Sequence, residues 1–385
     1  MNTFEAVSSS VADTTLASRN LGTMRRAGRC TDGRPVSSRS EVSGALAALL
    51  FCLGALCAYA QAPAGIDYAI SDRWLLGGTS GWDYLAFDGA GKRLFVTRAD
   101  HVDVIDTTTG RRTTTIADTL GVHGIALAPD LKRGYSSNGG AASVTMFDLE
   151  SLRTIKTGKV SGTNPDAIVY EPVGRHVFTF NGASSNATVL DALTLDVVAT
   201  IALPDKPEFA VADGTGRVFV NIESAAGQLV VIDARALAVV STWQLPGCAR
   251  PTGLAFDRAQ LRLFSVCAAG TLVVTDARSG RQVQRLPIGE HPDAAAFDPG
   301  LGVVFSSNGD GTLTLIHAED ADHYRVVATL MTEKSARTMA LDPVLHRVYL
   351  AAAQFGLAPQ ATAAQPRSRP PILPDTFTIL VAAPR

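Results

Sequence analysis

Seven polar residues recur along the chain at intervals of 40 to 44 residues, each just before a short segment of small and apolar residues. They are Asp83, His123, Asp166, Glu208, Thr252, Asp293 and Arg337. Two residues before three of them stand Lys206, Arg250 and His291. Four carboxylates with one imidazole could hold a cation. The two arginines argue against a pure cation cage, because they would pair with the acids, so a mixed ring suits a small polar ligand better.

The same residue types permit hydrolysis, with a carboxylate or His as the base and an Arg stabilising an oxyanion. Alternatively, residues that face a wet channel are polar whatever the protein does, and a fold does not by itself imply a function. The sequence assigns neither a catalytic residue nor a metal. It contains no G-x-S-x-G, H-E-x-x-H, Walker or C-x-x-C-H motif, so no cofactor is expected. The SNGDG segment from Ser307 is typical of a tight turn and lacks the later glutamate of a calcium loop.

The elements around each polar residue follow one order in all copies. After the small apolar segment comes a turn and then a strand that usually begins with Arg, such as RLFVT from Arg93. A loop leads to a strand ending in Asp, such as LVVID from Leu229, and then to an outer strand such as VVSTWQL from Val239. These short β-branched runs between turn residues indicate strands. Seven copies of about 42 residues predict an all-β, seven-bladed β-propeller, in which the first strands line the central channel.

The last copy lacks an outer strand. It ends with FTILV from Phe377, whereas AISDRWLL from Ala69, before the first copy, matches the outer-strand pattern. We therefore expect the last blade to be closed by the N-terminal strand, which pairs edges that would otherwise stay open.

Two second-strand segments, LFVTRAD from Leu94 and VFVNIES from Val218, resemble the YVTN-type repeat of the YncE-like seven-bladed β-propellers. An Ala/Pro-rich run from Pro359 before the final strand is similar to that family as well. The resemblance covers residues 66–385. It implies an exported binding or scaffolding module with a small polar ligand or protein partner at the channel mouth. The alternative is a lactonase-type propeller hydrolase that uses the acidic, His and Arg ring; a module of an electron-transfer assembly is disfavoured, because no cofactor motif is present.

The N-terminal region differs from the repeats. Residues 1–62 are interpreted as an export signal region, with an apolar stretch up to Ala60 and a small-x-small pattern that predicts cleavage after Ala60. The translation start is either Met1 or Met24, and an uncleaved anchor is the alternative. The mature protein would be periplasmic or secreted.

The propeller is assigned to residues 63–385 and contains one long insertion, a Pro/Ala-rich loop at 355–374. Surface loops tolerate such insertions, so a passive loop is favoured over a functional lid. The chain carries 34 basic and 36 acidic residues, a net charge of −2, without a basic patch for nucleic acid or for membrane lipid. We expect a monomer with no membrane span in the mature chain.

Cys248 and Cys267 are the two cysteines that follow the signal region. The first precedes the fifth copy and the second ends the second strand of that copy, so both lie on the channel-mouth face. In an oxidising compartment this pair could form a disulfide; two reduced, half-buried thiols are the alternative.

Overall fold

The structure, a computed structural model, describes residues 66–359 and 370–385. The predicted export signal region lies outside the described residues. The described strands form seven four-stranded antiparallel sheets, which confirms the predicted all-β, seven-bladed β-propeller. Two 3₁₀ turns, Pro129–Leu131 and Gly139–Ala141, are the helical segments in these ranges. In the part of the chain that is described, no helix has the length and apolar character to cross a membrane.

The chain begins with β1 (Tyr68–Leu75). Blade 1 contains β2 (Trp82–Asp88), β3 (Arg93–Arg98), β4 (His101–Asp106) and β5 (Arg111–Ile116). Blade 2 contains β6 (Val122–Ala128), β7 (Arg133–Asn138), β8 (Ser143–Asp148) and β9 (Thr154–Lys159). Blade 3 contains β10 (Pro165–Glu171), β11 (His176–Asn181), β12 (Asn186–Asp191) and β13 (Val197–Ala202). Blade 4 contains β14 (Pro207–Ala212), β15 (Arg217–Ile222), β16 (Gln228–Asp233) and β17 (Ala238–Gln244). Blade 5 contains β18 (Pro251–Asp257), β19 (Arg262–Cys267), β20 (Thr271–Asp276) and β21 (Gln282–Pro287). Blade 6 contains β22 (Pro292–Asp298), β23 (Val303–Asn308), β24 (Thr312–Ala318) and β25 (Tyr324–Met331). Blade 7 contains β26 (Met339–Asp342), β27 (Arg347–Ala352) and β28 (Thr378–Pro384).

The seventh sheet has the strand order β1-β28-β27-β26, so β1 lies at its outer edge. β1 is antiparallel to β28, with Tyr68 opposite Pro384 and Leu75 opposite Thr378. The Tyr68 hydroxyl also donates a hydrogen bond of 2.8 Å to the carbonyl of His346. The two ends of the described domain are therefore held in one sheet.

The second strand of every blade carries an aromatic residue at its third position, and all seven are fully buried. They are Phe95, Tyr135, Phe178, Phe219, Phe264, Phe305 and Tyr349. Full burial of one such side chain contributes about 1.5–3 kcal/mol relative to exposure. Because the aromatic residue faces the neighbouring blade, it fills the space between sheets, as Phe95 does against Phe147 of blade 2 with ring centroids 5.6 Å apart. This packing holds the blades around a common axis.

The first strands of six blades contain a β-bulge near their start, as in blade 1 between Trp82 and Leu85. A bulge turns the strand locally and re-aims a side chain. Side chains from the second strands form hydrogen bonds with the amide and carbonyl groups of the first strand that the bulges leave unpaired. In blade 1, Thr97 Oγ1 accepts from the Asp83 amide at 3.1 Å and donates to the Tyr84 carbonyl at 3.0 Å. The recurring polar residues thus stand at fixed, hydrogen-bonded positions.

A disulfide joins Cys248, in the loop that enters blade 5, to Cys267 at the end of β19, with Cα atoms 5.2 Å apart. Both cysteines are fully buried in a cluster with Leu245 and Leu254. The loop passes close to Gly227, whose φ is +69° and where a Cβ would lie 1.7 Å from the Cys248 carbonyl oxygen. Only glycine fits there, so blade 4 determines the path by which the chain reaches the disulfide.

The described ends of the Pro/Ala-rich insertion pair with each other. Phe355 and Ile372 form an isolated antiparallel bridge, and the amide of Gly356 donates to the carbonyl of Pro371 at 2.9 Å. The amide of Leu373 donates to the carbonyl of Gln354, also at 2.9 Å. Phe355 lies beside Trp82 of blade 1, with ring centroids 6.0 Å apart. The base of the insertion is therefore a fixed element at the channel mouth.

Candidate functional site

The recurring polar residues lie at the entry of the innermost strands, where consecutive blades contact each other around the channel. Six occupy the second position of their strand, in the bulge, and Arg337 lies two residues before β26. The structure brings six of the seven together in three separate groups rather than in one uniform ring.

The first group, the acid–histidine cluster, consists of Asp83, His123 and Asp166 from blades 1, 2 and 3. The Nδ1 atom of His123 lies 2.6 Å from Asp83 Oδ2 and 3.8 Å from Asp166 Oδ1. Burial alone would lower the pKa of His123, but the hydrogen bond to Asp83 and the charges of both aspartates raise it to about 9. Burial, reinforced by the charge of Asp83, raises the pKa of Asp166. The cluster therefore holds a charged imidazole between two carboxylates at neutral pH.

The second group, the lysine–glutamate cluster, consists of Lys206, Glu208, Glu223 and Arg250. Lys206 Nζ binds Glu208 and also Glu223, the latter at 2.6 Å. Arg250 donates to Glu223 through Nε at 3.0 Å and Nη2 at 2.5 Å. Burial and the charge of Asp166 raise the pKa of Glu208. Burial would raise the pKa of Glu223 too, but hydrogen bonds with Glu208, Lys206 and Arg250 lower it.

The third group is the ion pair of Asp293 and Arg337, with 3.2 Å between Oδ2 and Nε. Burial, opposed by Arg337, raises the pKa of Asp293 to about 7. Thr252 joins none of the three groups. Its hydroxyl donates to the carbonyl of Pro292 at 2.8 Å and so links blades 5 and 6.

A cavity of about 710 Å³ opens at the mouth between blades 6, 7 and 1, and we call it the mouth cavity. Its polar lining includes Asp83, His291, Arg337 and Thr338, and its apolar lining includes Trp82, Phe355, Pro371 and Ile372. The volume lies in the range of small-molecule sites. The Thr338 hydroxyl is buried and has no partner among the described residues. The predicted rim residues separate: His291 lines this cavity, whereas Lys206 and Arg250 belong to the lysine–glutamate cluster.

Three residues that matter at the mouth were not singled out from the sequence. Glu223 follows the second strand of blade 4, where the other six blades have Gly or Ala. Tyr84 and Phe209 follow the recurring polar residue in blades 1 and 4, where the other blades have Gly, Ala or Thr. In each case a large or charged residue stands in a column of small ones, and that contrast is readable from the sequence.

No protein-family model matches the chain, and neither does any curated protein. Solved structures are similar in fold. A chain of the Kuenenia stuttgartiensis hydrazine synthase is 18% identical, with a TM-score of 0.63 over 71% of this chain and 93% of that one. A chain of the mitotic checkpoint complex is 13% identical, with a TM-score of 0.66 over 88% and 98%. The WD40 repeats of RRP9 are 12% identical, with a TM-score of 0.67 over 84% and 99%. At these identities the likeness shows the propeller fold alone.

Proposed function

We propose that the chain is an exported β-propeller of the YncE-like group that acts as a binding module for a small polar ligand. The observation that carries the proposal is the mouth cavity, in which opposite charges, Asp83 and Arg337, face an apolar wall built by Trp82 and Phe355. Ligand sites combine an apolar lining with a few polar groups that orient the ligand.

The cavity favours a ligand with an apolar body and an anionic end. Arg337 has a side chain that is 53% exposed, so its guanidinium can turn from Asp293 to a ligand carboxylate. The insertion supplies Phe355, Pro371 and Ile372 to the wall, which supports a binding role for its base. The disulfide supports an oxidising compartment and therefore export to the periplasm or the exterior.

Tryptophan fluorescence tests the proposal, because Trp82 lines the cavity whereas Trp74 and Trp243 lie on the outer strands of blades 7 and 4. The protein is titrated with a panel of small carboxylic acids, amino acids and lactones. A cavity ligand should change the emission of the wild type and of Trp243→Phe, but not of Trp82→Phe. Arg337→Gln should weaken an anionic ligand by roughly tenfold or more, as expected for a hydrogen bond to a charged group. A panel without any Trp82 response, on folded protein, would refute the cavity as a ligand site.

A lactonase-type hydrolase is the second candidate, and the contact between Asp83 and His123 favours it, since a carboxylate that orients an imidazole is a common catalytic pair. The raised pKa of His123 makes its imidazole an acid at neutral pH, so a base would have to come from a carboxylate. The same lactone panel, followed for ring opening with divalent metals added, decides between the candidates. Turnover that Asp83→Ala and His123→Ala each abolish would support the hydrolase, whereas binding without turnover supports the binding module.

A further inference from the structure

The acid–histidine cluster is built from three consecutive blades that each contribute one side chain from the same bulge position. One donor atom of each residue lies within 4.8 Å of those of the other two. The basic residues of the mouth are bound elsewhere: Arg337 pairs with Asp293, and Lys206 and Arg250 pair with glutamates. These arginines are therefore not available to pair with Asp83 and Asp166, so they do not compete with a cation on this side of the mouth.

The Oδ1 atom of Asp166 is the second observation that points to a ligand. Asp166 is only 9% exposed, and its Oδ1 has no hydrogen-bond partner in the described parts of the chain. The nearest cationic atom is Nδ1 of His123, at 3.8 Å, which is too far for a hydrogen bond. A buried carboxylate oxygen without a partner costs free energy. A cation between Asp166 and His123 would remove that cost.

The imidazole of His123 is also held in place from its other side. The side chain of Asn164 lies beside it and favours its charged form. Gly139 leaves the space that this arrangement needs, because a Cβ there would lie 2.7 Å from His123 Nε2 and 2.6 Å from Asn164 Oδ1. Metal-binding imidazoles usually have a partner of this kind on the second nitrogen, which fixes the orientation of the ring.

We propose that Asp83, His123 and Asp166 form a binding site for a divalent transition-metal cation, with Zn²⁺ as the best chemical match. One imidazole nitrogen and two carboxylate oxygens favour such a cation over Ca²⁺ or Mg²⁺, which prefer oxygen alone. Two tetrahedral ligands at about 2.1 Å from one Zn²⁺ lie roughly 3.4 Å apart. The wider pairs of the cluster therefore have to contract, whereas His123 Nδ1 and Asp83 Oδ2, 2.6 Å apart, have to separate. The cation replaces the proton that His123 Nδ1 shares with Asp83. This inference goes beyond the proposed function, because the metal binds with or without an organic ligand.

The test uses untagged protein of the full mature chain, stripped with a chelator and titrated with ZnCl₂ alone in a calorimeter. We expect one equivalent to bind, and Asp166→Asn to weaken the affinity by at least about tenfold. Asp293→Asn is the matched control, because Asp293 occupies the same strand position in blade 6 and its side chain is only 16% exposed, but it pairs with Arg337. Its affinity should stay within about twofold of the wild type, since it changes no ligand.

The readout separates this proposal from the cavity proposal, because no organic ligand is present in the titration. Asp83→Asn serves as the second variant should Asp166→Asn fail to fold, since the Asp83 side chain is about a quarter exposed. Circular dichroism establishes that each variant is folded. The proposal is overturned by a titration without binding at millimolar Zn²⁺, and equally by an affinity that neither substitution changes.

Discussion

Tyr84 of blade 1 and Phe209 of blade 4 meet across the central channel, edge to face, with ring centroids 5.1 Å apart. Two blades lie between them on one side of the ring and three on the other, so their contact lies near the axis of the propeller. Both follow directly on a recurring polar residue, and Tyr84 is only 8% exposed. Burial and the charges of Asp166 and Glu208 raise the pKa of the Tyr84 phenol well above its usual value. We call this aromatic pair, directly behind the polar groups of the mouth, the aromatic floor.

The aromatic floor should stabilise the propeller through a direct coupling of the two rings. Tyr84→Ala and Phe209→Ala should each lower the free energy of unfolding. The decrease in the double variant should be smaller than the sum of the two single decreases by about 0.5–1.5 kcal/mol, as for other aromatic pairs. Urea unfolding of the four proteins of this cycle measures the coupling. Phe209→Leu is the control that retains most of the volume. Strict additivity of the two alanine substitutions would show that the rings do not interact.

Much of the fold could be predicted from the sequence, because each blade repeats the same alternation of small, aromatic and β-branched residues. The second-strand runs such as RLFVT carry the aromatic residue that fills the space between blades, so their spacing defines the seven sheets. The recurrence of polar residues also indicated a shared strand position, which is the second residue of the first strand in six blades.

The pairing at the mouth could not be predicted, because it depends on side-chain reach and on residues from other strands. Lys206 was expected at the rim, but its ammonium reaches Glu223, which comes from the end of β15 rather than from a first strand. Arg337 was expected in a common ring with all the acids, yet its guanidinium contacts Asp293 of the adjacent blade. Repeat alignment gives the position along a strand; it does not give the direction in which a long side chain turns.

Asp293 should make the protein less stable as the pH rises. Its pKa is raised from an ordinary value of 3.8 to about 7, so between these values the native state binds more protons than the unfolded state. Stability therefore falls as the pH increases through this window and levels off above about 7. Asp293→Asn should be more stable than the wild type above pH 7 by up to about 4 kcal/mol, at about 1.4 kcal/mol per pKa unit, because the pKa of about 7 already includes the favourable charge of Arg337. Near pH 4 the two should unfold alike.

Asp213 should affect stability with the opposite dependence on pH. Burial would raise its pKa, but hydrogen bonds from Arg217 and Thr215 lower it, so its contribution is present above the usual aspartate pKa and is lost as the pH falls. Asp213→Asn should therefore lose stability at neutral pH. Urea unfolding of the wild type and the two variants at several pH values measures how each aspartate changes the free energy of unfolding with pH. A pH-independent difference between Asp293→Asn and the wild type would contradict the raised pKa.

The disulfide between Cys248 and Cys267 should contribute to stability by restricting the unfolded chain. The sequence separation of 19 residues corresponds to about 3 kcal/mol in the chain-entropy model. A reductant should lower the urea midpoint of the wild type and leave that of the double variant Cys248→Ala/Cys267→Ala unchanged. Equal midpoints for the wild type with and without reductant, at complete reduction, would show that the crosslink adds nothing.

Arg98 should be the most sensitive residue beside the mouth cavity, because its buried guanidinium joins three parts of the domain. It lies over the ring of Phe377, with Cζ 3.7 Å from the centroid, and pairs with Asp103 at 3.3 Å. Its Nη2 donates to the carbonyl of Ser80 at 2.8 Å, in the segment that leads to Trp82. Breaking a buried ion pair typically costs about 3–5 kcal/mol, so Arg98→Met should lower the free energy of unfolding by roughly that amount.

Arg98→Lys should not restore the loss, since an ammonium cannot stack on Phe377 while it donates to Ser80 and Asp103. Arg112→Met is the matched control, because Arg112 contacts the same carboxylate at 3.2 Å with a side chain that is 46% exposed. A partly exposed pair is worth about 1 kcal/mol or less, so this variant should stay close to the wild type. Unfolding curves give the energies, and a shift of Trp82 emission in Arg98→Met would report displacement of the cavity wall. Equal losses for Arg98→Met and Arg112→Met would mean that the charge of Asp103, and not the three-way contact of Arg98, determines stability at this side of the mouth.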